Sequence, residues 1–64
     1  MKFKVGDLIQ ISRIWGAETG IVIYAQNEAW LDGFATIYKI RWEDGTTIVY
    51  TEQMISERAF QKIG

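Results

Sequence analysis

The side chains best suited to recognising a partner in this sequence are aromatic, and they include three tryptophans. Trp15 and Trp30 stand close to glycines in segments between predicted strands, and tryptophan is strongly enriched at the energetic centres of protein interfaces. Arg13 lies just before the first of these tryptophans, and Phe34 lies just after the second. We predict that Arg13, Trp15, Trp30 and Phe34 contact a protein partner. The alternative is that an indole folds back over one end of the domain.

Two cationic side chains define a second candidate surface. Lys39 and Arg41 alternate with Tyr38, Ile40 and Trp42, so they project from the same face of a predicted strand. Together with stacking aromatic rings, this face could hold single-stranded nucleic acid. However, eight acidic and seven basic residues give a net charge of −1, whereas non-specific phosphate binding depends on excess cations. Nucleic-acid binding is therefore the alternative hypothesis, and a solvated strand face is the simpler interpretation.

Two further groups of residues could bind cations. The acidic residues Glu43, Asp44 and Glu52 could ligate a hard metal ion, although a turn already accounts for Asp44. An aromatic cage could enclose an organic cation, although aromatic residues in so short a chain are expected to fill the core. The rings available for such a cage are Trp15, Tyr24, Trp30, Tyr38, Trp42 and Tyr50. We predict neither a metal nor a cofactor.

The composition argues against catalysis. The sequence contains no histidine and no cysteine, which removes the usual general base, the thiol nucleophile and the commonest metal ligands. It contains no glycine-rich phosphate-binding motif, and a chain of 64 residues has little room for a deep pocket. We therefore expect a protein that is not an enzyme.

Length and hydropathy predict one small domain over residues 1–64. No apolar run approaches the roughly 20 residues that cross a bilayer, and the N-terminal residues lack the apolar core of a signal peptide. We therefore predict a cytoplasmic protein without a membrane partner, with the virion as the other location considered.

Short β-rich segments separated by glycines organise the chain. The first predicted strand covers Val5–Ile11, and the second covers Gly20–Ala25. The second is apolar at both odd and even positions, which predicts a strand buried on both faces. Two long loops are expected at Ser12–Thr19 and Gln26–Ala35, and function tends to reside in such loops.

An Asp-Gly pair between two strand-like runs predicts a β-hairpin from residue 38 to residue 50. A two-residue turn on Asp44 and Gly45 would pair Ile40 with Val49. A three-residue loop over residues 43–45, with Gly45 in the left-handed conformation, would instead pair Ile40 with Ile48. We predict the second register, because it keeps the apolar side chains on one face. The residues gathered there are Tyr38, Ile40, Ile48 and Tyr50.

Two structures are open for the end of the chain. In the favoured one, Thr51 caps a short helical turn through Met54, and Arg58–Ile63 forms a last strand beside the first. In the other, residues 52–62 form one helix.

This order of elements resembles the small five-stranded SH3-like barrels, which include Tudor-like and KOW-like domains. The resemblance rests on Val5–Ile9, Gly20–Ile23 and Tyr38–Thr47, whereas the basic residues that a KOW motif has around its glycine are absent around Gly20. The chain is also similar to short, free-standing proteins encoded by bacteriophages. The resemblance implies a mainly β fold, a five-stranded SH3-like barrel with a short helical turn before the last strand.

The function expected from these observations is that of a non-catalytic protein–protein interaction module, encoded by a phage and directed at a host or virion protein. A nucleic-acid-binding accessory protein that uses Lys39 and Arg41 is one alternative. A structural component of the virion is another. A homo-oligomer is compatible with all three.

Overall fold

Five antiparallel strands and one short helix make up the computed structural model, which describes residues 2–31 and 33–63. In chain order the elements are β1 (Leu8–Arg13), β2 (Gly16–Trp30), β3 (Gly33–Trp42), β4 (Thr47–Thr51), α1 (Glu52–Glu57) and β5 (Gln61–Lys62). The strands form one sheet in the order β4-β3-β2-β1-β5. Within the described part of the chain, no helix has the length and apolar character needed to cross a membrane.

The mainly β class is confirmed, but the predicted closed barrel is not what the structure shows. The described strands form an open sheet, with β4 and β5 at its two edges. The last strand is only two residues long and pairs with β1, so it adds an edge to the sheet and does not join the two ends.

The core lies on one face of the sheet, called the inner face here. Phe3 from the N-terminal segment, Ile55 from α1 and Phe60 cover this face. Phe60 packs edge-on against Trp42 and Tyr50, with ring centroids 5.8 Å and 5.0 Å away. The other buried apolar residues of this cluster are Ile9, Ile11, Val22, Ala25, Tyr38 and Ile40. The core is therefore largely aromatic, as expected for a chain this short.

The β3–β4 hairpin has the predicted bulged register. Ile40 lies opposite Ile48, and Tyr38 lies opposite Tyr50. Gly45 has a φ of 89°, and its N–H donates to the carbonyl of Trp42 at 2.9 Å. Ile48 lies on the inner face but stays 43% exposed because it belongs to an edge strand.

The two predicted loops are mostly strand. Arg13 pairs with Gly16, so β1 and β2 are joined by a tight turn at residues 14–15. Residues 26–30 of β2 pair with residues 33–37 of β3, and this two-stranded ribbon extends the β2–β3 hairpin. Asp32, which the predicted loop included, lies outside the described residues. The ribbon was missed because it is exposed on both faces at most positions, so its sequence need not alternate in polarity.

The prediction that residues 20–25 are buried on both faces is wrong. Gly20, Val22 and Ala25 are buried. Ile21 is exposed on the opposite face, called the outer face here, and Ile23 is exposed within a bulge. A bulge between Val22 and Tyr24 shifts the pairing with β3. Residues 20–25 are apolar at both odd and even positions because the positions that face solvent also carry isoleucine.

The tail has the favoured order of a helical segment followed by a strand, although α1 continues to Glu57 and β5 covers only Gln61–Lys62 of the predicted Arg58–Ile63. The Thr51 hydroxyl accepts a hydrogen bond from the Met54 N–H at 3.2 Å and so caps α1. The chain leaves the helix through Ala59, which has a φ of 52°. β5 then pairs with β1.

Candidate functional site

The tip of the β2–β3 hairpin exposes three large apolar side chains. Trp30 is 41% exposed, Leu31 is 93% exposed and Phe34 is 79% exposed. We call these three residues the tip surface. Leu31 has a φ of 55°, a left-handed conformation that is unfavourable for a branched side chain. The turn therefore holds an apolar side chain in solvent at a cost in backbone energy.

A cleft of about 380 Å³ lies between the tip surface and the start of α1. Among the described residues that line the cleft, one has a charged side chain, Glu52. Its lining residues are Asn27, Trp30, Leu31, Phe34, Ala35, Thr36, Thr51, Glu52 and Gln53. The cleft thus combines an aromatic wall with a polar wall.

Hydrogen bonds fix the carboxylate of Glu52, one of the residues that line this cleft. Its Oε1 accepts from the Tyr38 hydroxyl at 2.7 Å and from the Lys2 backbone N–H at 2.8 Å. These two bonds lower the pKa of Glu52 from its ordinary value. Burial of the Tyr38 hydroxyl, followed by its bond to Glu52, raises the pKa of Tyr38. Glu52 is consequently ionised at neutral pH.

Arg13 and Trp15 lie at the other end of β2, in and beside the β1–β2 turn. The Arg13 guanidinium lies over the Trp15 ring, 5.5 Å from its centroid, and also pairs with Glu18. Trp15 is 74% exposed, so it does not fold back over the domain. Trp30 and Phe34 line the same cleft, but the whole length of β2 separates them from Arg13 and Trp15.

Lys39 and Arg41 share the outer face of β3, as predicted from their spacing. The Lys39 ammonium lies over the Tyr24 ring, 4.6 Å from its centroid. The hydroxyl of Tyr24 donates to Glu28, and this bond raises the pKa of Tyr24. The Lys39 ammonium therefore already contacts the Tyr24 ring, and the Tyr24 hydroxyl is bonded to the Glu28 carboxylate. This nearby carboxylate reduces the positive potential of the outer face.

The outer face also has a shallow apolar cleft of about 250 Å³ beside Arg41. Its lining residues are Leu8, Thr19, Gly20, Ile21, Arg41, Trp42 and Glu43. Glu43 accepts a hydrogen bond from the Thr19 N–H at 3.0 Å and lines this cleft together with Arg41. Arg41 thus shares a cleft with an acidic residue, and Lys39 lies over a ring that is bonded to one.

Three of the six rings available for an aromatic cage, and Asp44 of the acidic group, have structural roles instead. Tyr38, Trp42 and Tyr50 belong to the core, where the Trp42 indole N–H donates to the Tyr50 hydroxyl at 3.2 Å. Asp44 accepts from the hydroxyl and the N–H of Thr46, and these bonds lower the pKa of Asp44. In the described ranges 2–31 and 33–63, no group of three acidic side chains is placed to hold a metal ion.

Sequence reasoning missed two contributors to the hairpin-tip cleft. Leu31 lies inside the predicted loop at residues 26–35, and its exposure follows from the tight turn between Trp30 and Gly33, which only the structure shows. Glu52 was considered only as a metal ligand, because its role depends on contacts with Tyr38 and the N-terminal segment that are distant in sequence. Comparison with protein-family models, with curated proteins and with solved structures gives no match for this chain.

Proposed function

We propose that this chain is a non-catalytic module that binds a protein partner through the tip surface. The observation that carries the proposal is the cluster of Trp30, Leu31 and Phe34, exposed together at the end of one hairpin. Exposed tryptophan and phenylalanine side chains are costly in water, and burying them against a partner recovers that free energy. Aromatic residues at the centre of an interface also contribute most of its affinity.

The neighbouring cleft supports the same proposal. It offers about 380 Å³ beside the aromatic rings, enough to receive side chains of a partner. The ionised Glu52 at its edge favours a partner segment that carries lysine or arginine. The strained conformation of Leu31 further supports a functional role for the tip, because such strain concentrates at binding sites.

Arg13 and Trp15 form a separate, second contact in this proposal. They are exposed at the opposite end of β2, so they reach a different part of a large partner or a different partner molecule. Their stacked arrangement preorganises both side chains, which lowers the entropy lost on binding.

An SH3-like origin of the fold and a bacteriophage source belong to this proposal as well. The SH3-like origin is supported by the order of strands, the bulged hairpin and the helical turn before the last strand. The bacteriophage source rests on the resemblance of the sequence to short, free-standing phage proteins. The partner in this proposal is a protein of the host cell or of the virion.

The test is a pulldown with the tagged chain from host lysate and from disrupted virions, followed by affinity measurements on the purified partner. We expect Trp30→Ala and Phe34→Ala each to weaken binding by at least tenfold, because each removes a ring from the tip surface. Val5→Ala is the matched control, since Val5 is also an exposed apolar residue but lies away from the tip. Trp15→Ala reports on the second contact.

Circular dichroism must show that each variant keeps the wild-type fold. If folded Trp30→Ala and Phe34→Ala bind the same partner with wild-type affinity, the proposed surface is wrong. The nucleic-acid alternative is measured in parallel with a single-stranded oligonucleotide. Tight binding at low salt that falls steeply as salt is added, and that is lost in Lys39→Ala and Arg41→Ala, would favour that alternative.

A further inference from the structure

The edge strand β4 lacks the features that normally prevent strands from pairing with other chains. Natural edge strands carry lysine, proline or bulges, or are covered by another element. Residues 46–51 contain no charged residue and no proline, and most of them are β-branched. Ile48 and Val49 are 43% and 45% exposed on opposite faces of this strand. Among the described residues, the sheet ends at β4 on this side.

The hydrogen-bond pattern identifies the backbone groups at this edge. The Trp42 N–H donates to the Thr46 carbonyl at 2.8 Å, which makes these two residues a hydrogen-bonded pair. Because bonded and non-bonded pairs alternate in antiparallel strands, Ile40 and Ile48 form the next bonded pair. The N–H and C=O groups of Thr47 and Val49 therefore point away from β3, toward the open edge.

We propose that a second copy of this chain covers the edge by antiparallel pairing of β4 with β4 about a twofold axis at Ile48. In this register Ile48 lies opposite Ile48 of the partner copy, and Thr47 lies opposite the partner copy's Val49. The four outward backbone groups of Thr47 and Val49 in each strand are then hydrogen-bonded, and the exposed isoleucines contact each other on the inner face.

The charge of the strand favours a second copy as the occupant. Self-pairing places identical residues near one another, and like charges directly opposite would be destabilising. Residues 46–51 are uncharged, so pairing of β4 with itself meets no such repulsion. The twofold contact occupies both β4 edges, so it ends at a dimer and does not propagate. This inference concerns a different surface from the tip surface and does not depend on the proposed function.

Single cysteine variants test the register directly, because the natural sequence has no cysteine. Opposed Cα atoms of a non-bonded pair are about 4.5 Å apart, which permits a disulfide. We expect Ile48→Cys to form a disulfide-linked dimer under mild oxidation. Val49→Cys is the matched control, because its two copies would be about 8 Å apart in this register, too far for a disulfide without backbone movement. Preferential cross-linking of Val49→Cys would overturn the proposed register.

Sedimentation equilibrium tests the association without cross-linking. The mass is expected to rise with concentration from the 7.4 kDa of one chain toward twice that value. Val49→Pro removes an outward N–H while leaving the bonds to β3, and should weaken association at least tenfold. Val49→Ala keeps that N–H and should retain dimerisation. A wild-type chain that remains monomeric into the millimolar range would overturn the proposal, as would a folded Val49→Pro that associates like wild type. If Val49→Pro fails to fold, the cysteine pair decides.

Discussion

Gly20 illustrates how a single residue permits the packing of β2 against β3. A Cβ added at this position would lie 2.6 Å from Ile40 Cγ2, 2.8 Å from Trp42 Cε3 and 2.9 Å from the Arg41 carbonyl oxygen. One of these contacts is with backbone, so rotation of a side chain cannot relieve it. The absence of a side chain at Gly20 therefore allows the Trp42 ring to lie against the strand.

We accordingly expect Gly20→Ala to lower the free energy of unfolding by about 1–3 kcal/mol, the usual cost of overpacking a core. Gly33→Ala is the matched control, because a Cβ there has no atom within 4 Å and Gly33 has no positive φ. Urea unfolding of both variants measures the difference. Equal stability of the two variants would show that β2 and β3 can separate enough to accept a methyl group.

Glu52 makes the stability of the fold depend on pH. Its pKa is lowered in the folded state, first by the Tyr38 hydroxyl and then by the Lys2 N–H. The ionised carboxylate therefore stabilises the fold above its unfolded pKa, near 4.5, and this contribution is lost as the pH falls through the lower folded pKa. The pKa of Asp44 is also lowered in the folded state, so Asp44 adds to the loss of stability at acid pH.

Replacing Glu52 with glutamine should therefore reduce the dependence of stability on pH between about 5 and 3, while leaving the part due to Asp44. Tyr38→Phe removes the largest cause of the shift and should also flatten the profile. Because both variants break the same hydrogen bond, the double variant should change the profile by less than the sum of the two. Additive effects in urea unfolding across this pH range would contradict the coupling.

At the scale of elements, the parts predicted correctly were those governed by local signals. Asp44-Gly45 marked the β3–β4 hairpin, and keeping the apolar residues on one face selected its register. Thr51 marked the start of α1. The β2–β3 ribbon also has an Asp-Gly pair at residues 32–33, but the residues on either side do not alternate between apolar and polar, so this pair alone does not predict a hairpin. The cleft between the tip surface and α1 could not be predicted, since it depends on where α1 packs relative to the ribbon.

The end of α1 yields a prediction of increased stability. Ala59 follows the helix with a φ of 52°, a conformation that costs a residue with a Cβ about 1–2 kcal/mol. Glycine avoids this cost but loses more backbone entropy on folding, so the expected net gain from Ala59→Gly is about 0.5–1 kcal/mol. Thermal unfolding should show a melting temperature higher by a few degrees. Ser56→Gly, within the helix, is the control and should lower it. A lower melting temperature for Ala59→Gly would mean that the side chain of Ala59 makes a contribution larger than the strain.

At the scale of the whole molecule, the N-terminal segment covers part of the inner face of the open sheet. The Gly6 N–H donates to the Val22 carbonyl at 2.9 Å, and the Val22 N–H donates to the Asp7 carbonyl at 3.0 Å. Phe3 is buried against Tyr38, with ring centroids 5.9 Å apart. The core therefore includes a segment that belongs to none of the strands.

The core of so short a chain leaves little reserve of stability. In chains below about 70–80 residues, a single hydrophobic core rarely supplies more than about 3–5 kcal/mol. Truncating a buried phenylalanine to alanine costs about 3–5 kcal/mol. Phe3→Ala should therefore be largely unfolded at room temperature, while Phe3→Leu, which keeps most of the volume, should remain folded with reduced stability. Val5→Ala removes an exposed side chain of the same segment and should change the free energy of unfolding by no more than about 0.5 kcal/mol. Circular dichroism at increasing urea concentration distinguishes these outcomes. A cooperatively folded Phe3→Ala would show that the sheet, α1 and Phe60 form a stable core without the N-terminal segment.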